Sequence, residues 1–252
     1  MENQSVGFFG ALARFLRMTG GPGQNLWDNA RFILADVPLH PDRVRKALPA
    51  MLKPANPPMA TLFIVDYTKT SFTVPYHEAA LLIHVNHLFG PGLHCHTMTV
   101  DDDTALIYGR ELLGYPKKLA KFEWKEEGDR VFGSYARRGV TVLSMAGTKG
   151  ERQPSPRPVF DVKTYNVAGP GSLFVLNPIW MLRPREVIRE SYAMDVKVKI
   201  EPSEWDPISD LVVGEPRNGR FVVLDIVKSR YNLIAGLAGP KFLANNFNIR
   251  FR

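Results

Sequence analysis

Two adjacent lysines, Lys117 and Lys118, stand in the segment Gly109-Arg-Glu-Leu-Leu-Gly-Tyr-Pro-Lys-Lys-Leu-Ala120. Pro116 fixes its own backbone and pushes Tyr115 toward extended geometry, so the chain enters Lys117 through a set turn. Leu119, Ala120, Phe122 and Trp124 supply apolar surroundings. A lysine held still and partly dry can attack a carbonyl carbon, provided that it is neutral. At a pKa of about 10.4, fewer than roughly one molecule in a thousand is unprotonated at pH 7, and moving that pKa to about 7 costs on the order of 4–5 kcal/mol. Burial and a neighbouring ammonium both disfavour the charged form, and the Lys-Lys pair offers both devices. Outside such a setting a Lys pair is ordinarily two solvated side chains.

Other chemistry-bearing residues gather at Gly90-Pro-Gly92, which His84, His87, His94 and His96 flank, with Cys95 between the last two. These are metal-ligand types. On strands, however, His84 and His87 face opposite sides, and Cys95 faces away from His94 and His96. His94 and His96 share a face, as a two-His site, as a pocket-lining pair beside the lysine, or as hydrogen-bonded core histidines; the last is expected, and no metal. The sequence has no Gly-rich phosphate loop, no Gly-x-Ser-x-Gly elbow and no His-Glu-x-x-His pattern. No cofactor is expected.

The elements that must position the lysines read mainly as β. Short apolar or alternating runs at 61–68, 79–85, 93–100, 105–108, 120–124, 130–135 and 140–145 are separated by turn residues at 90–92, 101–103, 127–129 and 138–139. Tyr192, Met194, Val196, Val198 and Ile200 alternate with Asp195, Lys197, Lys199 and Glu201, the period of a half-buried strand, and 220–227 is a further strand. Pro41 and Asp42 open a short helix that Pro49 stops. The segment 150–158, with three prolines in five residues, reads as a long surface loop. Phe8, Leu12, Phe15 and Leu16 share one helical face, so residues 1–25 are an N-terminal helix and arm, docked on the core or a sister subunit in preference to a membrane. Residues 26–252 form one domain, a β barrel with a few peripheral helices.

With 252 residues, 45% hydrophobic, 23% charged and one cysteine, the composition is that of a globular chain and excludes disorder, collagen and disulfide scaffolds. The net charge of +7 is scattered and forms no dense basic stripe, so it suits small anionic ligands better than nucleic acid. No apolar run reaches 18 residues, and Glu2, Arg14 and Arg17 spoil a leader. The expectation is a soluble, unsecreted, cytoplasmic protein.

The run Gly-Arg-Glu-Leu-x-x-Tyr-Pro-Lys-Lys-Leu resembles the signature of the acetoacetate decarboxylase family, and weaker similarity extends over residues 28–228. The resemblance implies a barrel or cone that assembles into homo-oligomers. It implies that Lys117 forms a Schiff base with a small anionic keto acid and that Lys118 depresses its pKa; this activation is an established example for acetoacetate decarboxylase. It also implies catalytic Glu78, in Pro75-Tyr-His-Glu78, and substrate-binding Arg31, in Asn29-Ala-Arg31, which orients a carboxylate or pairs with Glu78. Tyr115 and Phe63 are counted with the substrate-binding residues. Phe63 stands where the decarboxylase carries a second glutamate. Decarboxylation of acetoacetate or a related β-keto acid is therefore the first reading, with aldol or dehydratase chemistry on a pyruvate-type acid as the second. A non-catalytic barrel holding hydrophobic acids around Phe63, Phe122 and Trp124 is the third.

Overall fold

The computed structural model describes residues 25–168 and 177–252, and only the backbone of residues 228–232. The N-terminal helix expected at 6–17 lies outside the described residues. In chain order the elements are β1 (Trp27–Pro38), α1 (Pro41–Ala47), β2 (Lys53–Pro54), β3 (Met59–Tyr67), β4 (Lys69–Thr70), β5 (Tyr76–His87) and β6 (Gly90–Val100). Then come α2 (Asp103–Leu113), β7 (Lys117–Leu119), β8 (Lys121–Glu127), β9 (Arg130–Arg137), β10 (Val140–Arg152) and β11 (Lys163–Val167). The chain ends in β12 (Asn177–Met194), β13 (Lys197–Ile200), β14 (Arg217–Ala238), α3 (Pro240–Asn245) and α4 (Phe247–Phe251).

Seven strands close a barrel in the order β11-β6-β5-β3-β1-β14-β12, with β12 pairing back to β11. Closure, with the second sheet outside, leaves both faces of β3 buried, which is why it reads as the continuous apolar run Leu62–Val65. Alternate residues split into two layers. Phe32, Leu34, Phe63, Val65, Ala80, Leu82, Val222 and Leu224 fill the interior. Ile33, Ala35, Leu62, Ile64, Leu81, Ile83 and Val223 face outward and pack against β9 and β10, which belong to a second sheet, β8-β9-β10-β13. Among the described residues no helix is long and apolar enough to cross a membrane.

Three expectations need correction. The run Ala105–Tyr108 lies within helix α2, not a strand: Asp102 caps it by accepting from the Ala105 N–H at 2.7 Å, and Gly114 ends it in the left-handed region at φ 72°. Four apolar residues are too few to separate the two periods. The alternating stretch 192–200 breaks at Asp195–Val196, so Tyr192 and Met194 end β12 while β13 pairs with β10. The proline-rich segment is only partly a surface loop. Gly150–Arg152 finish β10, and after Pro158 the chain turns into the barrel, where Val159 and Phe160 are buried. Glu186 accepts from the N–H groups of both at 2.7 Å, and Arg220 donates to the carbonyls of Arg157 and Pro158 at 2.5 and 3.3 Å. Burial pushes the Glu186 carboxyl up against the opposing pull of those N–H groups. This inserted loop plugs the barrel interior.

Candidate active site

β7 runs parallel to β6, with Met98 beside Lys117 and Thr99 beside Lys118. Successive residues of a strand point to opposite faces, so the two lysines part company. Lys117 enters the barrel with Met98, and its Nζ donates to Glu78 Oε2 at 2.7 Å. Both side chains are 5% exposed. Tyr76 and Glu78 share the inner face of β5. The Tyr76 ring lies 5.6 Å from Lys117 Nζ, and its hydroxyl accepts from Trp27 Nε1 at 3.0 Å. Tyr67 also bonds Glu78, and burial together with that carboxylate pushes the hydroxyls of Tyr67 and Tyr76 up. Both phenols stay protonated.

The pair opens on a cavity of about 280 Å3 that Trp27, Met98, Tyr108, Tyr115, Phe160 and Ile226, among others, line. Tyr115 is thus in contact with the space in front of Lys117, and burial pushes its hydroxyl up. Lys117 is the sole cation among the described lining residues. Helix α2 fixes the lysine from behind: Arg110 Nη1 donates to the Lys117 carbonyl at 2.9 Å and also to that of Arg250 at 3.1 Å. A Cβ on Gly109 would collide with Lys117 Cε and Cδ and lie 3.0 Å from Nζ. Gly109→Ala is therefore expected to lower the melting temperature as well as turnover. The helix gains up to about 1 kcal/mol, but the displaced Nζ loosens the buried pair with Glu78, which costs more than that, and kcat falls at least about tenfold. A thermal melt and turnover assay on the same preparation read both.

Lys118 points to the other face. It pairs with the carboxylate of Asp206, donates to the Trp205 carbonyl at 3.2 Å, and shares Asp206 with Arg137 at 2.7 Å. Burial lowers the Lys118 pKa, Asp206 opposes that, and Arg137 and Arg138 add to it. The structure places Lys118 in an ion cluster outside the cavity and puts Glu78 in reach of Lys117 instead.

Arg31 is not brought to Glu78. It lies on the outer face with Ile33, bonds Glu126 through Nε at 2.8 Å and again through Nη2, and packs over the Phe221 ring. Lys149 joins Glu126 at 2.6 Å. Phe63 is on the inner face but fully buried behind Phe32 and Phe160, 5.6 Å from the latter, so Phe160 meets the cavity and Phe63 does not. Phe122 and Trp124 pack on the outer layer, so the pocket expected around Phe63, Phe122 and Trp124 does not form.

The histidines also depart from simple alternation. A register shift between Leu81↔Thr97 and Leu82↔Cys95 places a bulge at His96, so Cys95 joins Met98 in the interior. His94 bonds the Tyr165 carbonyl through Nδ1 at 2.7 Å. Burial lowers His94 to about 4 and His96 to about 3, keeping both neutral, and neither lines the cavity beside Lys117. Among the described residues no group of His, Cys, Asp and Glu could hold a metal ion. Tyr67, Tyr76, Phe160, Gly109 and Asp206 were missed by sequence reasoning. For Tyr76 a signal existed, since it stands two residues before Glu78 and so on the same strand face.

The family model for acetoacetate decarboxylase matches residues 16–233. The chain belongs to the acetoacetate decarboxylase family. The acetoacetate decarboxylase of Burkholderia cenocepacia (strain HI2424) is 30% identical over 207 residues, 77% of this chain and 82% of that one. Among solved structures, the acetoacetate decarboxylase from Legionella pneumophila superposes with TM-score 0.71 at 17% identity, covering 87% of this chain and 88% of that one. The enduracididine biosynthesis enzyme MppR complexed with pyruvate superposes with TM-score 0.69 at 14% identity, covering 82% and 89%. The acetoacetate decarboxylase fold is thereby established for this barrel.

Proposed function

We propose that the protein is a Schiff-base decarboxylase of a β-keto acid, with Lys117 as nucleophile and Glu78 as its proton partner. The observation that carries this reading is the buried pair at 2.7 Å on the wall of an apolar cavity. Glu78 accepts the ammonium proton, and neutral Nζ attacks the ketone carbon to give a carbinolamine. The proton returns to the departing oxygen, water leaves, and a protonated imine remains. The bond between Cα and the carboxyl carbon then breaks. Its electron pair moves through the new C=C bond to the imine nitrogen, carbon dioxide departs, and an enamine forms. Protonation of the enamine carbon and hydrolysis release the ketone and restore Lys117.

Decarboxylation is favoured over carbon-carbon bond formation with retained carboxylate by what the cavity lacks. No described lining residue other than Lys117 is cationic, so a carboxylate directed toward Leu112, Phe160, Leu182 and Ile226 would meet apolar groups, which disfavours the ion and is relieved when carbon dioxide leaves. Borohydride reduction in the presence of acetoacetate, followed by mass spectrometry of the peptide 109–125, tests the proposal. An isopropyl adduct on Lys117 is expected. An adduct that keeps the carboxylate would instead support aldol or dehydratase chemistry on a pyruvate-type acid. An absence of adducts with any keto acid would leave only a binding role.

A further inference from the structure

We infer that the preferred substrate is a β-keto acid whose ketone carries an apolar chain or ring, and that Leu112, Phe160, Leu182, Pro184 and Ile226 hold that group; this rests on the Schiff-base reading above. The size of the cavity is the first argument. A cavity of about 150 Å3 takes benzene, with six carbons, so about 280 Å3 admits roughly eleven non-hydrogen atoms. Acetoacetate brings four carbons and three oxygens. It would leave on the order of a third of the space to water against apolar walls, which is unfavourable.

The second argument is where polarity is absent. Glu78 and Lys117 enter from β5 and β7, while α2 contributes Leu112 and Leu113, the inserted loop contributes Phe160, β12 contributes Leu182 and Pro184, and β14 contributes Ile226. These neighbours offer no charge to a second carboxylate, a phosphate or a nucleotide handle. The acid they fit is therefore a monoanion with a hydrocarbon tail. Leu112 is 37% exposed and stands at the rim, where such a tail enters from solvent. The loop that supplies Phe160 is held by Glu186 and Arg220, so this wall is fixed before substrate arrives.

The test measures kcat/KM for a series of straight-chain 3-oxo acids from acetoacetate to 3-oxooctanoate, and for 3-oxo-3-phenylpropanoate, by carbon dioxide release. Each buried methylene is expected to raise kcat/KM about fourfold, largely through KM, to on the order of a hundredfold over the series. Ile226→Trp, checked for folding by its melting temperature, is expected to flatten that rise. Borohydride trapping is run on each acid in parallel. If imine adducts form on Lys117 but acetoacetate has the highest kcat/KM, or the series is flat, the inference about the substrate falls and the Schiff-base reading stands. If no acid gives an adduct or releases carbon dioxide, both fall.

Discussion

Lys117→Ala is expected to abolish turnover, lowering kcat by at least about 10⁴-fold, because the nitrogen that stores the electron pair of the breaking bond is removed outright. The substitution also strands Glu78, 5% exposed, without its cation, and breaking a buried pair in this way costs about 3–5 kcal/mol unless the carboxylate takes up a proton. Lost activity could then be mistaken for lost fold. Glu78→Gln separates the two effects. It keeps the shape and a hydrogen bond to Tyr67, leaves Lys117 in place, and is expected to lower kcat by about 10²–10⁴-fold through loss of the proton partner. The double variant Lys117→Ala/Glu78→Gln buries no unpaired charge, so it should melt nearer the parent than Lys117→Ala and remain inactive. Borohydride should label the parent, label Glu78→Gln slowly, and label neither variant without Lys117. Persistent labelling or carbon dioxide release in Lys117→Ala would remove this lysine from the mechanism.

A second large effect concerns acid. His94 and His96 are buried and neutral, with pKa values lowered to about 4 and about 3, whereas in the unfolded chain each titrates near 6.5. As pH falls below 6.5 the unfolded state takes up two protons that the folded state refuses. The stability they confer is complete above pH 6.5 and is lost as pH falls through the range down to their folded values, with a slope approaching about 2.7 kcal/mol per pH unit. His84 and His87, also lowered by burial, act in the same sense. Asp66 and Glu186, which burial pushes up, act in the opposite sense, since they hold protons more tightly in the folded state. Against a typical stability of about 5–15 kcal/mol, the two histidines remove on the order of 6 kcal/mol between pH 6.5 and pH 4, a large share of the total. Urea midpoints at pH 7.5, 6.5, 5.5 and 5.0 measure the slope. The double variant His94→Gln/His96→Gln is expected to start less stable, because the bond to Tyr165 is disturbed, but to lose much less on acidification. Equal slopes for the two proteins would refute the assignment.

Much of the site was written in local sequence. The Pro116 turn and the adjacent lysines depend on neighbours in the chain, and together with the family resemblance they pointed to Lys117, Glu78 and Tyr115, which the structure gathers at one cavity. Where the reading missed, distant closure was responsible. Arg31 finds Glu126, 95 residues on, across the outer face, and nothing near Arg31 announces that partner. Asp206 meets Lys118 from 88 residues away. Phe160 reaches the cavity because a loop with surface-like composition is pulled inward by Glu186 and Arg220.

The sequence by itself determined the β-rich class, the short helix at Pro41, the Tyr-Pro-Lys-Lys segment and the family, because periodicity, proline and a long motif are local properties. Tertiary structure alone decided which face of each strand became the interior. A strand states that its residues alternate but not which side is in; only barrel closure, together with the bulge at His96 that resets the alternation, makes that choice. For that reason Lys117 faces the barrel cavity while Lys118, one residue on, is locked to Asp206 outside it.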